Sequence, residues 1–157
     1  MHLLYGNYDI AIDDKNRMLI PADIRKAKDP IADGEAFFLV PRGNGKLWLY
    51  PEKYYRTLAE QMSREMVPGE DLEKFNRVHF GLVSRVDWDR HGRVSLPEKE
   101  IRRAGLNREI TVVGAGDHIE VWTRSDWAAQ EEELLRQQTE IDERIRQRQR
   151  EAGNAGL

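Results

Sequence analysis

The chain carries one nine-residue pattern twice, and this duplication constrains its fold more than any other feature of the sequence. Residues 13–21 read DDKNRMLIP and residues 89–97 read DRHGRVSLP, at a constant offset of 76 residues. Both copies have an Asp, an Arg four positions later, a largely apolar run and a Pro in the same order. A supersecondary unit that is used twice predicts a chain built from two related halves.

The residues around each copy predict the same order of elements. Apolar residues alternate over 8–12 and continue over 18–20, on either side of a polar turn, which is the pattern of a hairpin. Pro21 suits the first position of a short helix, and two more strands are predicted at 37–40 and 47–50. The second half has predicted strands at 83–88, 94–96, 110–113 and 119–122, with a short helix after Pro97. Because a hairpin pair is marginally stable alone, we expect the two halves to interleave their strands.

The sequence therefore predicts an α+β fold, mainly β, in which two tandem repeats form a pseudo-symmetric β unit with peripheral helices. The predicted segments are a first repeat at 5–51, linking helices at 52–79, a second repeat at 80–127, and a polar C-terminal helix with a frayed tail at 128–157, the tail beginning at Asn154. In the linking helices, Leu72, Phe75 and Val78 have helical spacing and are expected to point inward. Four further aromatic residues are expected in the core: Trp48, Tyr50, Trp122 and Trp127.

Several groups of residues, in order along the chain, carry a resemblance to a known family. They are Asp13 to Pro21 with Arg25, Leu47 to Pro51, Phe80-Gly81, Asp89 to Pro97 with Arg102, Val112 to Gly114, and Ile119 to Trp122. The order of Asp, Arg, apolar strand, Pro and short helix resembles the swapped-hairpin DNA-binding domains of the AbrB class. The full combination, over residues 1 to about 130, resembles the MraZ family, so the two repeats would be tandem AbrB-like repeats.

The resemblance implies a bacterial transcriptional regulator in the cytoplasm, associated with the nucleoid. It implies two partners: double-stranded DNA, as short G-rich tandem repeats in the promoter of the cell-division and cell-wall gene cluster, and the protein itself, as a ring-shaped homo-oligomer. The sequence departs from the family pattern at Asn16, where Gly is usual, and at Leu4-Tyr5-Gly6, where Phe-Arg-Gly is common. Asn tolerates the left-handed conformation better than most residues, so we expect the first turn to form.

Basic residues in or beside the two turns are the candidate DNA contacts: Lys15, Arg17, Arg25, Arg90 and Arg93. An Arg guanidinium can bridge phosphate oxygens or bind the O6 and N7 atoms of guanine in the major groove. The first turn is expected to face DNA, whereas the second faces either DNA or a subunit interface. Arg25, like Arg102, is either a secondary phosphate contact or a solvated helix charge. Asp13 and Asp89 either hold the arginines in position or close their own hairpins through backbone amides.

Net charge alone gives little support to nucleic-acid binding. The chain has 25 basic and 28 acidic residues, a formal net charge of −3, whereas DNA-binding proteins are usually basic. Much of the acidic excess lies at Glu131, Glu132, Glu133, Glu140, Asp142 and Glu143. A ring would offset this charge by repeating one basic turn many times on one surface, so that weak contacts with tandem DNA repeats combine.

Other functional classes find little support in the sequence. The chain has no cysteine, its four histidines lack the spacing of a zinc site, and no catalytic-triad, phosphate-loop or dinucleotide motif is present. We therefore expect no enzyme activity, no cofactor and no metal. No apolar run is long enough to span a membrane, so we expect no membrane partner. Two alternatives to the regulator stay open: a ring-forming interaction scaffold that uses its polar last helix, and an antitoxin-like DNA-binding protein.

Overall fold

The computed structural model describes residues 3–27 and 34–155, which form two compact units divided after Arg124. The strands in these residues are β1 (Asn7–Ala11), β2 (Arg17–Leu19), β3 (Ala36–Pro41), β4 (Leu47–Pro51), β5 (Ser84–Asp87), β6 (Arg93–Ser95), β7 (Glu109–Gly114) and β8 (Ile119–Thr123). The helices are α1 (Ala22–Ala27), α2 (Glu52–Glu65), α3 (Glu70–Asn76), α4 (Glu98–Arg103) and α5 (Arg124–Ala155), with a π-helical turn (Arg77–Gly81) after α3. The predicted α+β class, mainly β, is confirmed.

The strands of the two repeats interleave. Six strands form an antiparallel sheet in the order β1-β7-β8-β4-β3-β5, and β2 pairs with β6 in a separate two-stranded sheet. Three of the five pairings in the large sheet join one repeat to the other: β1 with β7, β8 with β4, and β3 with β5. The counterparts in the two repeats are β1 and β5, β3 and β7, and β4 and β8. If each strand is replaced by its counterpart, the same order is obtained when the sheet is read from its other edge, so the predicted pseudo-symmetric β unit is confirmed. The residue limits of the two repeats stay a prediction.

The two repeated turns form, but the strands that flank each turn take their ladder partners elsewhere, and a single bridge between Trp88 and Val94 joins the two sides of the second turn. The Asp13 N–H donates to the Arg17 carbonyl at 3.0 Å, and the Asp89 N–H donates to the Arg93 carbonyl at 2.8 Å. After its turn, each chain segment crosses to the other repeat, where β2 pairs with β6. This pairing packs Met18 against the core beside Val94, both at 0% exposure. The simple hairpin interpretation of residues 8–20 is therefore wrong, since burial favours the exchanged partner.

Apolar side chains from both repeats build the main core, including Ile24 of α1, Leu39 of β3 and Ile119 of β8. A smaller cluster holds α2 against β3 and β4; its buried members are Val40, Tyr50, Tyr55 and Ala59. The core prediction for the aromatic residues is right for Tyr50, which is 7% exposed. Trp48 is half-buried and packs against the smaller cluster, in partial agreement with the prediction. The prediction is wrong for Trp122 and Trp127, which are half-buried.

The chain between β4 and β5, residues 52–83, which we call the linking segment, leaves apolar side chains exposed. Leu72 and Phe75 of α3 are half-buried, whereas Val78, in the π-helical turn, is 38% exposed. The inward orientation predicted for Val78 is therefore wrong within a single chain. Phe80 and Leu82, which follow, are 48% and 45% exposed.

The second unit consists of α5 beyond its first residue. The helix continues to Ala155, so Asn154 and Ala155, predicted to be frayed, are helical, and residues 156–157 lie outside the described part of the chain. None of the 32 helix residues is buried. Among the described residues, no helix combines the length and apolar character that crossing a membrane requires.

Gly92 is a position in the second turn where a side chain is poorly tolerated. Its φ is +79°, in the left-handed region, and a Cβ there would overlap the guanidinium of Arg25. We expect Gly92→Ala to lower the free energy of unfolding by about 1–2 kcal/mol, because Ala is strained there and Arg25 must move. Chemical denaturation beside Gly43→Ala, whose site is open and has no positive φ, measures this cost. Equal stabilities of the two variants would contradict it.

Candidate nucleic-acid interface

The two-stranded sheet of β2 and β6 has a buried face and an outward face. Met18 and Val94, in the middle of the two strands, are buried, and their neighbours in each strand are exposed or half-buried. Because opposite residues, and alternate residues of one strand, share a face, the neighbours all point outward. We call this surface the ribbon face, and its residues are Arg17, Leu19, Arg93 and Ser95.

The ribbon face brings the two repeated motifs together. Arg17 lies opposite Ser95 and Leu19 opposite Arg93, so the two arginines are diagonal neighbours with Cα atoms about 7–8 Å apart. Backbone hydrogen bonds extend the pairing at both ends, from the Ile20 N–H to the Gly92 carbonyl and from the Leu96 N–H to the Asn16 carbonyl, each at 2.8 Å. One turn therefore lies at each end of a single continuous surface.

In the first turn, Asp13 holds both the backbone and the Arg17 side chain. Its Oδ1 accepts hydrogen bonds from the N–H groups of Lys15 at 2.9 Å and Arg17 at 2.8 Å. Its Oδ2 accepts a hydrogen bond from Arg17 Nε at 2.7 Å. Asn16 completes the turn with φ of +60°, the left-handed conformation expected for the residue that replaces the usual Gly. One carboxylate thus performs both of the roles that the sequence left as alternatives.

The second turn repeats this geometry atom by atom. Asp89 Oδ1 accepts from the N–H groups of His91 at 2.8 Å and Arg93 at 3.0 Å, and its Oδ2 accepts from Arg93 Nε at 3.0 Å. Gly92 takes the left-handed position that Asn16 occupies in the first turn. Two independent copies of the same arrangement indicate that the Asp–Arg pair is a property of the motif.

Hydrogen bonding keeps both aspartates ionised. The backbone N–H of Arg93 contributes most to lowering the pKa of Asp89 to about 2, with further contributions from His91 and the Arg93 side chain. The backbone N–H of Arg17 likewise lowers the pKa of Asp13. Each arginine is therefore oriented by a charged carboxylate throughout the physiological pH range.

Nε is the atom of each arginine that the aspartate occupies, which leaves the other end of the guanidinium available. In the described residues, the terminal nitrogens of Arg17 and Arg93 have no hydrogen-bond or ion-pair partner. The same holds for the side chains of Lys15 and Arg90, which flank the two arginines in the turns. A guanidinium held by Nε with both Nη atoms presented is suited to bidentate binding of two acceptors.

Arg25, in α1, contacts the second turn. Its Nη1 donates a hydrogen bond to the His91 carbonyl at 3.0 Å, across 66 residues of sequence. Arg25 therefore supports the turn that carries Arg93, a structural role that the sequence did not suggest. Its contact with DNA stays a prediction.

The two turns differ at the residue after the aspartate. The first turn has Asp14 there and the second has Arg90. Asp14 is exposed and binds Arg108 Nη1 at 2.5 Å, which partly neutralises its charge. The second turn is thus the more basic of the two, although the sequence analysis favoured the first as the DNA-facing edge.

Comparison with known proteins gives this architecture a family. Residues 80–149 match the model of a family described as "MraZ protein, putative antitoxin-like". The chain is 36% identical over 144 residues to the transcriptional regulator MraZ of Thermomicrobium roseum, an alignment that covers 91% of this chain and 97% of that protein. The chain belongs to the MraZ family. Proteins of the same name from Clostridium tetani and Heliobacterium modesticaldum are 29% and 28% identical, over 80% and 91% of this chain and 84% and 96% of their own lengths.

The charge of this MraZ family member is divided unevenly along the chain. Residues 125–157 carry eight acidic and five basic side chains, which accounts for the whole net charge of −3. Residues 1–124 carry 20 of each sign and are neutral overall. The unit that contains the ribbon face therefore has no acidic excess, and the objection that net charge raises against DNA binding does not apply to it.

A cluster around His118 is a feature of this chain's fold that the sequence analysis missed. The His118 ring stacks on Trp48 with centroids 3.9 Å apart, its Nδ1 lies 2.6 Å from Asp117 Oδ1, and its Nε2 lies 2.9 Å from Glu120 Oε2. The pattern Asp-His-x-Glu at a turn could have indicated a contact between His118 and Glu120, because alternate residues of a strand share a face. The cluster lies where β4 pairs with β8 and joins the two repeats.

Proposed function

We propose that this protein is a DNA-binding transcriptional regulator that inserts its ribbon face into the major groove. The observation that carries the proposal is the pair of Asp-oriented arginines on one outward face of a two-stranded ribbon. The major groove of B-DNA is about 12 Å wide and admits such a ribbon. The name of the relatives, transcriptional regulator, supports the same function.

Arg17 and Arg93 are the proposed base-reading residues. Each presents two Nη atoms, and bidentate binding of guanine O6 and N7 by Arg is the commonest specific contact in the major groove. Their Cα spacing of about 7–8 Å is close to two base-pair steps of about 3.4 Å each, so both can reach bases in one short site. Lys15 and Arg90 lie beside them and are proposed to bind phosphates.

The proposed target is a set of short tandem repeats in the promoter of the cell-division and cell-wall gene cluster, bound by a ring of subunits. Two arginines alone contact few base pairs, so a single subunit would bind DNA weakly and with low sequence specificity. A ring presents one ribbon face for each successive repeat, and the second and later contacts form at high effective concentration. The ring therefore supplies the affinity that a neutral unit with one small face lacks.

The linking segment offers a contact surface for such a ring. Val78, Phe80 and Leu82, at alternate positions of the chain, are exposed apolar residues, and Met62 of α2 is 41% exposed. A cavity of about 230 Å³, lined in part by Phe38, Tyr55 and Phe80, opens beside them. An exposed apolar surface next to a cavity is typical of a protein–protein contact, and a head-to-tail contact of this kind closes into a ring.

Footprinting on the DNA upstream of the protein's own gene, with the oligomer mass measured by light scattering, tests this function. We expect protection of successive repeats and a mass that is a multiple of the 18.3 kDa chain. Affinity should fall by about 100-fold or more between about 50 and about 200 mM salt, because several phosphates release counterions together. Binding that is insensitive to salt would contradict the mechanism. A ring without any protected DNA would favour the interaction scaffold instead.

A further inference from the structure

The C-terminal helix α5 carries a stripe with coiled-coil spacing. Its members follow one another at alternating intervals of three and four residues, which keeps them on one side of the helix. They are Glu131, Leu134, Gln138, Ile141, Ile145 and Arg148. Ile145 is 49% exposed, and Leu135, beside the stripe, is 68% exposed. Three of the four inner positions of the stripe are apolar, and a long helix with such a stripe and no buried residue is suited to binding another helix.

Charge is segregated along α5. Residues 125–143 carry seven acidic side chains and one basic one, whereas residues 144–155 carry four basic side chains and one acidic one. The helix dipole favours this polarity, but its effect is confined to the first and last turns. Glu131 lies about two turns inside the helix, and Arg144 lies 11 residues before its end at Ala155. The segregation therefore requires a further explanation, and an oppositely directed copy of the same helix supplies one.

The stripe is complementary to itself only in the antiparallel direction. Its residues are placed symmetrically about the midpoint between Thr139 and Glu140. Turning a second helix end for end brings together the pairs Glu131 with Arg148, Leu134 with Ile145, and Gln138 with Ile141. A parallel pair would instead place Glu131 on Glu131 and Arg148 on Arg148, which is unfavourable. Arg148 has no ion pair within the described part of the chain, so it is available for this contact.

We propose that α5 binds α5 of a second copy of this chain as an antiparallel helix pair, with Glu131 against Arg148 at both ends. This goes beyond the proposed DNA-binding function and does not depend on it. The contact is isologous, so it joins two copies through a twofold axis. A ring, in contrast, grows through a head-to-tail contact, and the helix pair would therefore link two subunits or two rings. It assigns a function to the acidic segment that has no part in the ribbon face.

Charge exchange in the full-length protein tests the pairing. We expect Glu131→Arg, and separately Arg148→Glu, to raise the dissociation constant of pairing by about 100-fold or more, because each creates like-charge pairs. The mass measured by light scattering would then fall by half. The double variant Glu131→Arg/Arg148→Glu restores the pairs and should recover the wild-type mass. Glu132→Arg, the same charge change one position off the stripe, should have no effect.

A second measurement fixes the direction of the helices. The chain has no cysteine, so introduced thiols report one contact at a time. Antiparallel pairing predicts disulfides between a Glu131→Cys chain and an Arg148→Cys chain, and few within either variant alone. Unchanged masses for both single variants, failure of the double variant to recover, or disulfides between two Glu131→Cys chains would overturn the proposal.

Discussion

Replacing Arg17 by Ala is expected to reduce binding to the upstream tandem repeats by about 100-fold or more, while the fold and the oligomer mass stay unchanged. A bidentate Arg–guanine contact is worth about 1–3 kcal/mol, and the loss is repeated in every subunit that engages a repeat. The fold should tolerate the change, because the Arg17 side chain is partly exposed and its neighbour Met18 carries the packing. Gel-shift titration, with circular dichroism as the check on folding, measures the effect.

Two further substitutions separate the role of Arg17 from a general loss of positive charge. Arg64→Ala removes the same charge from α2, where the side chain is 77% exposed, and should leave affinity nearly unchanged. Lys15→Ala removes a proposed phosphate contact and should weaken binding to all sequences alike, with a smaller salt dependence. An unaltered promoter affinity for Arg17→Ala would exclude it from the interface.

Arg93→Ala decides whether both turns contact DNA. Because Arg93 and Arg17 are diagonal neighbours on one face and each is held by its own Asp, we expect the two variants to lose similar affinity. A loss confined to Arg17→Ala would assign the second turn to another surface.

The duplicated motif predicted much of the fold because it constrains long-range structure as well as local structure. Offset and order were enough to predict eight strands, two short helices after Pro21 and Pro97, and interleaved halves. The pairing partners could not be read from the turns. A turn of Asp and Asn shows that the chain changes direction there. Which strand pairs with which depends on the burial of residues from distant segments, such as Met18 and Val94.

The candidate site was predictable in its residues and not in its arrangement. Asp13, Arg17, Asp89 and Arg93 follow from the motif, and the structure brings the two arginines to one face. Nothing local indicated that Arg25 would support the second turn, since that contact joins residues 66 positions apart. The linking residue Val78 was predicted to point inward because helical spacing indicates an apolar surface without showing whether the rest of the chain covers it.

We expect the second large effect from a substitution in the His118 cluster, which stabilises the fold. Both ring nitrogens lie within hydrogen-bond distance of carboxylate oxygens, and an ionised carboxylate only accepts, so the geometry favours the imidazolium form, in which each nitrogen donates. Tyr54 and Trp122 donate to the remaining oxygens of Asp117 and Glu120, at 2.8 and 2.9 Å. The charge is thus enclosed at 8% exposure between its two partners and the Trp48 ring.

The pKa shifts set the sign of the pH dependence. Burial alone would lower the pKa of His118, but hydrogen bonds to Glu120 and Asp117 outweigh burial and raise it. The stabilisation that protonated His118 gives the fold is therefore complete below the ordinary His pKa of about 6.5, and it is lost as pH rises through the higher pKa of the folded state. Burial opposes ionisation of Asp117 and Glu120 as well, yet the bonds from His118 lower the pKa of both. Their contribution is present above the ordinary carboxyl range and is lost in acid, so the cluster stabilises the fold most between these limits.

We expect His118→Gln to lower the free energy of unfolding by about 2–3 kcal/mol near pH 6, because it removes two hydrogen bonds to charged groups and leaves Asp117 and Glu120 without their cation. The difference from the wild type should shrink as pH rises through the raised pKa of the folded-state ring, because the wild-type ring then loses its proton. Urea denaturation at several pH values measures this difference. Burial lowers the pKa of His79, so the contribution of His79 to stability changes with pH in the opposite direction. Because His79 is present in both proteins, comparing them removes this contribution. His91→Gln, in the exposed second turn, serves as the matched control and should keep the wild-type dependence. A cost of His118→Gln that does not change as pH rises above 6 would contradict a charged ring and would favour stacking on Trp48 as the stabilising contact.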